Sequence, residues 1–167
     1  MKYRTLILLL TLITSQLACV ARGCETYITD EWPDSRYTIQ SILGDDVVTD
    51  KKTGLMWKRS IESTGTSSRY TWQQALATPV TINAIGFAGF SNWRLPNIEE
   101  LRSIAAINCT VPSINEVVFP STPSEFFWSS SPSLNLNFAL YLSFYSGYDG
   151  ADSRHSSNRV RLVRSRQ

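Results

Sequence analysis

Side chains that could bind a ligand are concentrated in two polar segments near the C-terminal end of the chain. The first, Ser130 to Phe138, is rich in Ser and Asn, and the second, Ser146 to Asn158, holds Tyr, Asp, Arg and His. Aromatic rings supply contact area at low entropic cost, amides form adaptable hydrogen bonds, and Arg pairs with sulfate or carboxylate. The candidate ligand-binding residues are Ser133, Asn135, Asn137, Tyr145, Tyr148, Asp149, Asp152, Arg154 and His155.

Catalytic chemistry has little support in the sequence. His155 is the only His, and although Ser153, Ser156 and Ser157 stand beside it, sequence neighbours rarely form a triad. No phosphate-binding glycine motif is present. We therefore expect a protein that is not an enzyme and has no nucleic-acid partner. Asp149 and Asp152 are the candidates for a calcium site, but calcium normally takes more ligands than two carboxylates, so no cofactor is predicted.

The N-terminal residues have the pattern of a secretory signal. Lys2 and Arg4 precede an apolar run over residues 6–13, and small residues follow at Ala18 and Ala21. The run is shorter than the roughly 20 apolar residues that cross a bilayer. We predict a signal peptide at 1–21, a lead-in at 22–46 and a single domain at 47–167, hence a protein that is periplasmic, secreted or on the cell surface.

The three cysteines are Cys19, Cys24 and Cys109. Cleavage after Ala21 would leave two cysteines in an oxidising compartment, where a Cys24–Cys109 disulfide is expected. The alternative is a lipid anchor on Cys19 or Cys24, which would bring the protein to a membrane, although neither cysteine follows a good lipobox. A metal site is less well supported, because the chain has no CxxC spacing.

Charge is distributed unevenly along the chain. The segment from Phe126 to the end has five arginines and only two acidic residues, an excess of positive charge that favours an anionic partner. The arginines are Arg154, Arg159, Arg161, Arg164 and Arg166, and the acidic residues are Asp149 and Asp152. The alternative is a solvated edge strand, since Arg159 and Arg161 alternate with the apolar Val160 and Leu162.

Local patterns predict the elements that position these residues. Glu25 to Ser41 has no regular pattern, and strands at 47–50 and 55–58 flank a turn at Gly54. Thr71 with Gln74 and Asn97 with Glu100 form capping boxes that begin two helices, and Pro79 is expected to end the first. Residues 108–125 contain three prolines and are expected to form a packed loop, followed by strands at 126–129, 139–145 and 159–164.

Taken together, the motifs appear in an order that resembles the Lcl C-terminal domain family, which is named for a bacterial collagen-like adhesin. The resemblance covers Val47 to Arg164 and rests on Asp50 to Trp57, Tyr70 to Leu76, Asn92 to Asn97 with Glu100 and Leu101, Phe119 and Pro120, Phe127 to Ser131, Phe144 with Gly147, and Val160 to Arg164. Within these motifs we expect the structural residues to be Trp57, Trp72, Trp93, Arg94, Pro96, Asn97, Trp128 and Arg161.

The resemblance implies an α+β, C-type-lectin-like fold: two short helices, a twisted and mainly antiparallel sheet, and long loops that form a ligand face. The adhesin domain binds sulfated polysaccharides, so the expected function is an exported, noncatalytic domain that recognises glycans or other anionic surface polymers. The alternative is a protein-interaction or envelope-structural domain with an envelope protein as partner, including a variable protein diversified by a retroelement.

Overall fold

The computed structural model describes residue 24, residues 30–63 and residues 68–165. The predicted signal peptide, Cys19 and Arg166 lie outside these residues. The strands are β1 (Tyr37–Ile42), β2 (Asp45–Asp50), β3 (Leu55–Lys58), β4 (Phe126–Pro132), β5 (Phe138–Ser143), β6 (Asp149–Ser153) and β7 (Val163–Ser165). The α-helices are α1 (Trp72–Ala84) and α2 (Ile98–Ser103), and short 3₁₀ helices lie at Asp34–Arg36 and Phe87–Gly89. None of the helices in this part of the chain is both long and apolar enough to span a membrane.

The strands form two antiparallel sheets, so the predicted α+β class is confirmed. One sheet has the order β1-β2-β3-β7 and the other the order β4-β5-β6. The smaller sheet separates two groups of buried side chains: one contains Phe127 and Leu142 with Leu101 of α2, and the other contains Trp128 with Ala75 of α1. Each face of this sheet is therefore covered by one helix. The turns that connect its strands lie at the two ends of the sheet, where the helices do not cover them.

The predicted hairpin and both capping boxes are present. Strands β2 and β3 pair around Gly54, which has a φ of 71°. The side chain of Thr71 accepts from the Gln74 amide and that of Asn97 from the Glu100 amide, and both reciprocal bonds are also made. These interactions satisfy amide groups that a helix start otherwise leaves unpaired.

The expectation that Pro79 ends the first helix is wrong, because α1 continues to Ala84. An interior proline removes one intrahelical hydrogen bond and crowds the carbonyl four residues earlier, at a cost of about 3 kcal/mol that other contacts must offset. The last turn of the helix is held by tertiary contacts: Asn83 donates to the Trp93 carbonyl at 2.9 Å and accepts from the Trp93 amide at 2.8 Å. These contacts are remote in sequence and explain why the helix passes the proline.

Two segments that were expected to be irregular contain strands. The lead-in holds β1, which pairs with all six residues of β2 through a turn at Leu43 and Gly44. The second polar segment holds β6, which pairs with β5. The β1–β2 turn lacks the Asn-Gly or Asp-Gly pair that normally announces such a hairpin, so its sequence gives no local signal.

The expected strand over 159–164 is regular only at β7. Residues 159–162 instead lie between the two sheets: Trp128 donates its amide to the Arg159 carbonyl, and Lys58 donates to the Leu162 carbonyl. Arg161 is 0% exposed, so the alternative of a solvated edge strand does not apply to it, and its burial fits the structural role expected from the sequence. A residue with neighbours on both sides cannot show the half-buried alternation of a surface strand.

Candidate functional site

The predicted ligand-binding residues lie at opposite ends of the three-stranded sheet. The turn containing Ser133, Asn135 and Asn137 joins β4 to β5 at the end where Ser153 of β6 pairs with Phe138. Tyr145 and Tyr148 lie in the turn from β5 to β6, at the other end. Strand β5 has six residues and is therefore about 17 Å long. The two groups of predicted ligand-binding residues are therefore separated by the length of this strand.

We call the first group the arginine end; its members are Trp72, Ser133, Leu134, Asn135, Leu136, Asn137, Arg154 and His155. Its turn is held by short-range hydrogen bonds. The Asn137 amide donates to Asn135 Oδ1 at 3.0 Å, and the Asn135 amide to Ser133 Oγ at 3.4 Å. The polar side chains are thus partly used in forming the turn, and the leucines between them point outward, with exposed fractions of 104% for Leu134 and 79% for Leu136.

Arg154 is fixed by contacts on three sides. Its amide donates to the Asn137 carbonyl at 3.0 Å, and its Nε donates to the Phe138 carbonyl at 3.1 Å. Its guanidinium lies over the Trp72 ring, with Cζ 4.2 Å from the ring centroid. The two terminal nitrogens make no hydrogen bond to the residues that the structure describes. They are therefore free to donate to an anion.

Trp72 was expected to be a purely structural residue, and the structure adds a second role. It is the first residue of α1, its indole N–H donates to the Ser129 carbonyl at 2.8 Å, and its ring is half-buried against the core. The remaining ring surface supports Arg154. Sequence reasoning missed this pairing because the two residues are far apart along the chain and meet only through the placement of α1 on the sheet.

Asp149 and Asp152 do not form a shared cation site. They are three residues apart in β6, and side chains at an odd separation point to opposite faces of a strand. Asp152 accepts from the Ser153 amide, the Ser156 hydroxyl and the Asn158 side chain, at 2.7, 2.8 and 3.1 Å. Among the described residues, no three His, Cys, Asp or Glu side chains come together as metal ligands do. Asp152 therefore orders the segment after β6.

The other group, the tyrosine end, contains Tyr145, Tyr148, Asp149 and Arg102. Both tyrosines are exposed. Asp149 is paired with Arg102 from α2, with nitrogen to oxygen distances of 2.9 and 2.7 Å, and Arg102 also contacts Glu99. The hydrogen bond from Arg102 lowers the pKa of Asp149 below its usual value. The cation of this group is thus shared by two carboxylates, which leaves little attraction for an anionic ligand.

Most of the expected structural residues are buried and support the sheet that carries the arginine end. Trp57, Trp93 and Trp128 are nearly or fully buried, and the Trp128 indole donates to the Tyr70 carbonyl at 2.8 Å. Tyr70 in turn pairs with Asn158, which follows the arginine end in sequence. The core tryptophan thus fixes the position of the segment that follows Arg154.

Arg161 and Arg94 have separate structural roles. Arg161 donates to the carbonyls of Lys58 and Arg59 and to the Thr122 hydroxyl, and burial lowers its pKa to about 9. Arg94 binds Glu100 through two hydrogen bonds of 2.7 and 2.6 Å. Neither side chain is available to a ligand, since both are used to join elements of the fold.

A pair of aromatic residues on the small sheet was not predicted. Phe126 and Tyr141 stack with centroids 4.3 Å apart, and the Tyr141 ring lies against Gly150 of β6, where a Cβ would be 2.7 Å from the Tyr141 hydroxyl. Gly150 therefore makes room for the ring. Recognising the arrangement from sequence would require the strand register.

The geometry defines a disulfide-linked α+β domain with two antiparallel sheets, in which Cys24 and Cys109 are bonded as predicted. The family model for the Lcl C-terminal domain matches residues 46–164, well over half of the chain. The chain belongs to the Lcl C-terminal domain family. This membership indicates an adhesin-associated domain. No curated protein matches the chain.

Proposed function

We propose that this protein is an exported, noncatalytic binding domain that recognises an anionic glycan at the arginine end. The observation that carries the proposal is the held guanidinium of Arg154, whose terminal nitrogens have no bond to a described residue. A cation fixed in advance loses little side-chain entropy on binding, and its hydrogen bonds to sulfate or carboxylate are stronger than neutral ones.

Comparison with other arginines supports Arg154 as the contact. Arg36, Arg59, Arg69, Arg94, Arg102 and Arg159 each pair with a carboxylate. Arg161 and Arg164 are buried. Arg154 is the partly exposed arginine without a carboxylate partner in the part of the chain described. The exposed Asn135, Asn137 and His155 beside it could donate to sugar hydroxyls.

The export and fold components of the proposal have their own support. A Cys24–Cys109 disulfide suits an oxidising compartment such as the periplasm or the cell exterior. Two helices, antiparallel sheets and surface turns at both ends of β5 suit the C-type-lectin-like fold. Mass spectrometry of the mature chain would test the export signal. An acylated cysteine at the N-terminus of the mature chain would show that the protein is lipid-anchored and not released.

Binding to sulfated and carboxylated glycans should depend on Arg154 and not on charge alone. We expect Arg154→Gln to weaken binding by about tenfold or more, because a charge-assisted hydrogen bond contributes about 1.5–3 kcal/mol. The matched control is Arg102→Gln, which removes the same charge from an exposed arginine that is already paired. Isothermal titration calorimetry over a range of salt concentrations measures both. Equal losses in the two variants, or no binding to any glycan on an array, would overturn the proposal.

A protein partner from the cell envelope is the second candidate, and the exposed leucines favour it. Leu134 and Leu136 project from a turn that is held by its own hydrogen bonds, and two outward leucines suit a protein surface better than a sugar. A pull-down from envelope extracts that recovers one protein in stoichiometric amount, and loses it when both leucines are changed to Ser, would support this function over glycan binding.

A further inference from the structure

The outer edge of β1 differs from the other sheet edges in the described residues. Beside β7, Arg94 and Val163 exchange two backbone hydrogen bonds of 2.9 and 3.0 Å. Beside β4, the backbone of Arg159 bonds to Phe126 and Trp128. Strand β6 carries two acidic residues, a common protection against pairing with another chain. Strand β1 contains no charged residue, and among residues 30–63 and 68–165 no strand pairs with its outer side.

The backbone groups that face this open side can be identified from the hairpin. Leu43 and Gly44 both have positive φ, 54° and 90°, as in a two-residue type I′ turn. The residues that flank such a turn form a hydrogen-bonded pair, and bonded and non-bonded pairs then alternate. Ile42, Gln40 and Thr38 therefore bond to β2, as the bond from the Lys51 amide to the Arg36 carbonyl at 3.0 Å also requires. Ile39 and Ser41 direct their amides and carbonyls outward. Tyr37 directs only its carbonyl outward, because its amide donates to the Asp34 carbonyl.

We propose that this edge pairs with β1 of a second copy of the chain, antiparallel and centred on Ile39. In this arrangement Ile39 of one copy lies opposite Ile39 of the other, Tyr37 lies opposite Ser41, and about four new backbone hydrogen bonds form. The pairing places no like charges opposite one another, because residues 37–42 are uncharged.

Self-pairing fits this edge for two further reasons. Thr38, Ile39, Gln40 and Ser41 are all exposed, so the strand extends far enough from the core for another strand to approach. Its register with β2 is continuous over six residues, without the bulge that would twist an edge away. An interface made by a single pair of strands buries little accessible surface, so we expect a weak dimer.

Sedimentation velocity over a micromolar concentration series tests the proposal. The unmodified protein should shift from monomer to dimer, and Ile39→Lys should raise the dissociation constant at least about tenfold because it sets two like charges opposite each other. Val80→Lys is the matched control: it adds the same charge at an exposed position on α1 and should leave dimerisation unchanged. An equimolar mixture of Ile39→Lys and Ile39→Glu should restore the dimer.

Residue-resolved amide exchange tests the same pairing without a substitution. The outward amides of Ile39 and Ser41 should become protected as concentration rises, whereas those of Thr38 and Gln40 should be protected at every concentration. A protein that stays monomeric, equal effects of Ile39→Lys and Val80→Lys, or a mixture that does not associate would overturn the proposal.

Discussion

At the scale of single residues, Asp50 shows how the fold keeps a buried charge. Its side chain has no exposed surface, and this burial acts to raise its pKa. The opposing hydrogen bonds are stronger in sum: Arg36 donates from Nε at 2.7 Å and from a terminal nitrogen at 2.5 Å, and Thr53 donates at 2.8 Å. The net effect lowers the pKa of Asp50 below its usual value, so the carboxylate is ionised in the folded protein.

This ion pair predicts a specific loss of stability in acid. Because the folded-state pKa of Asp50 is lowered, its contribution is fully present above the unfolded-state pKa of about 4 and is lost as pH falls through the folded-state value. We expect Asp50→Asn to reduce the unfolding free energy by about 3–5 kcal/mol at neutral pH and to flatten the acid limb of the pH profile. Urea unfolding at pH values from 7 down to 2 measures both effects.

The control for this prediction is Asp46→Asn. Asp46 pairs with Arg59 at 3.3 Å but is half exposed, and such pairs contribute about 0–1 kcal/mol. The account of Asp50 would be wrong if both substitutions had the same small effect.

At the scale of elements, what could be predicted depends on whether the determining contacts are local. The capping boxes at Thr71 and Asn97 join residues three apart and were found from the sequence. The end of α1 was missed because Asn83 is held by Trp93, ten residues further on. Strands β1 and β6 were not predicted, because each is defined by its pairing with a neighbouring strand and not by a pattern in its own residues.

The capping box of α2 gives the prediction at this scale. The helix has only six residues, so its first turn contributes much of its hydrogen bonding. Asn97→Ala removes the acceptor for the Glu100 amide and should lower the unfolding free energy by about 1 kcal/mol. Glu99→Gln serves as the control, because Glu99 is exposed and makes no cap bond. Thermal unfolding of both variants at neutral pH measures the difference, and an equal melting temperature would contradict the assigned cap.

At the scale of the whole molecule, the sequence suggested residue types for the candidate site but not their arrangement. Tyr148 and Arg154 are six positions apart in the chain, yet β6 carries them to opposite ends of the sheet. The contact that singles out Arg154 comes from Trp72, on a helix that precedes the sheet in sequence. The register of the strands places Tyr148 and Arg154 at opposite ends, and the packing of α1 on the sheet brings Trp72 to Arg154. Neither strand register nor helix packing can be recognised in a short stretch of sequence.

The disulfide acts on the whole chain, since Cys24 and Cys109 are 85 residues apart. A cross-link that closes a loop of this length restricts the unfolded chain and stabilises the folded one by about 4 kcal/mol in the chain-entropy description. Cys109 packs in the same buried group as Leu101 and Phe127, so the bond fastens the N-terminal segment to the side of the core that α2 covers.

We therefore expect Cys24→Ser to lower the unfolding free energy by about 4 kcal/mol, and reduction of the unmodified protein to lower it by a similar amount. Urea unfolding with and without reductant measures both. Reductant should have no further effect on the Cys24→Ser variant, because the remaining described cysteine has lost its partner. If reductant left the unmodified protein unchanged, the stabilising role of the bond would be wrong. A disulfide persists in an oxidising compartment, so the size of this loss would measure how much stability the proposed export preserves.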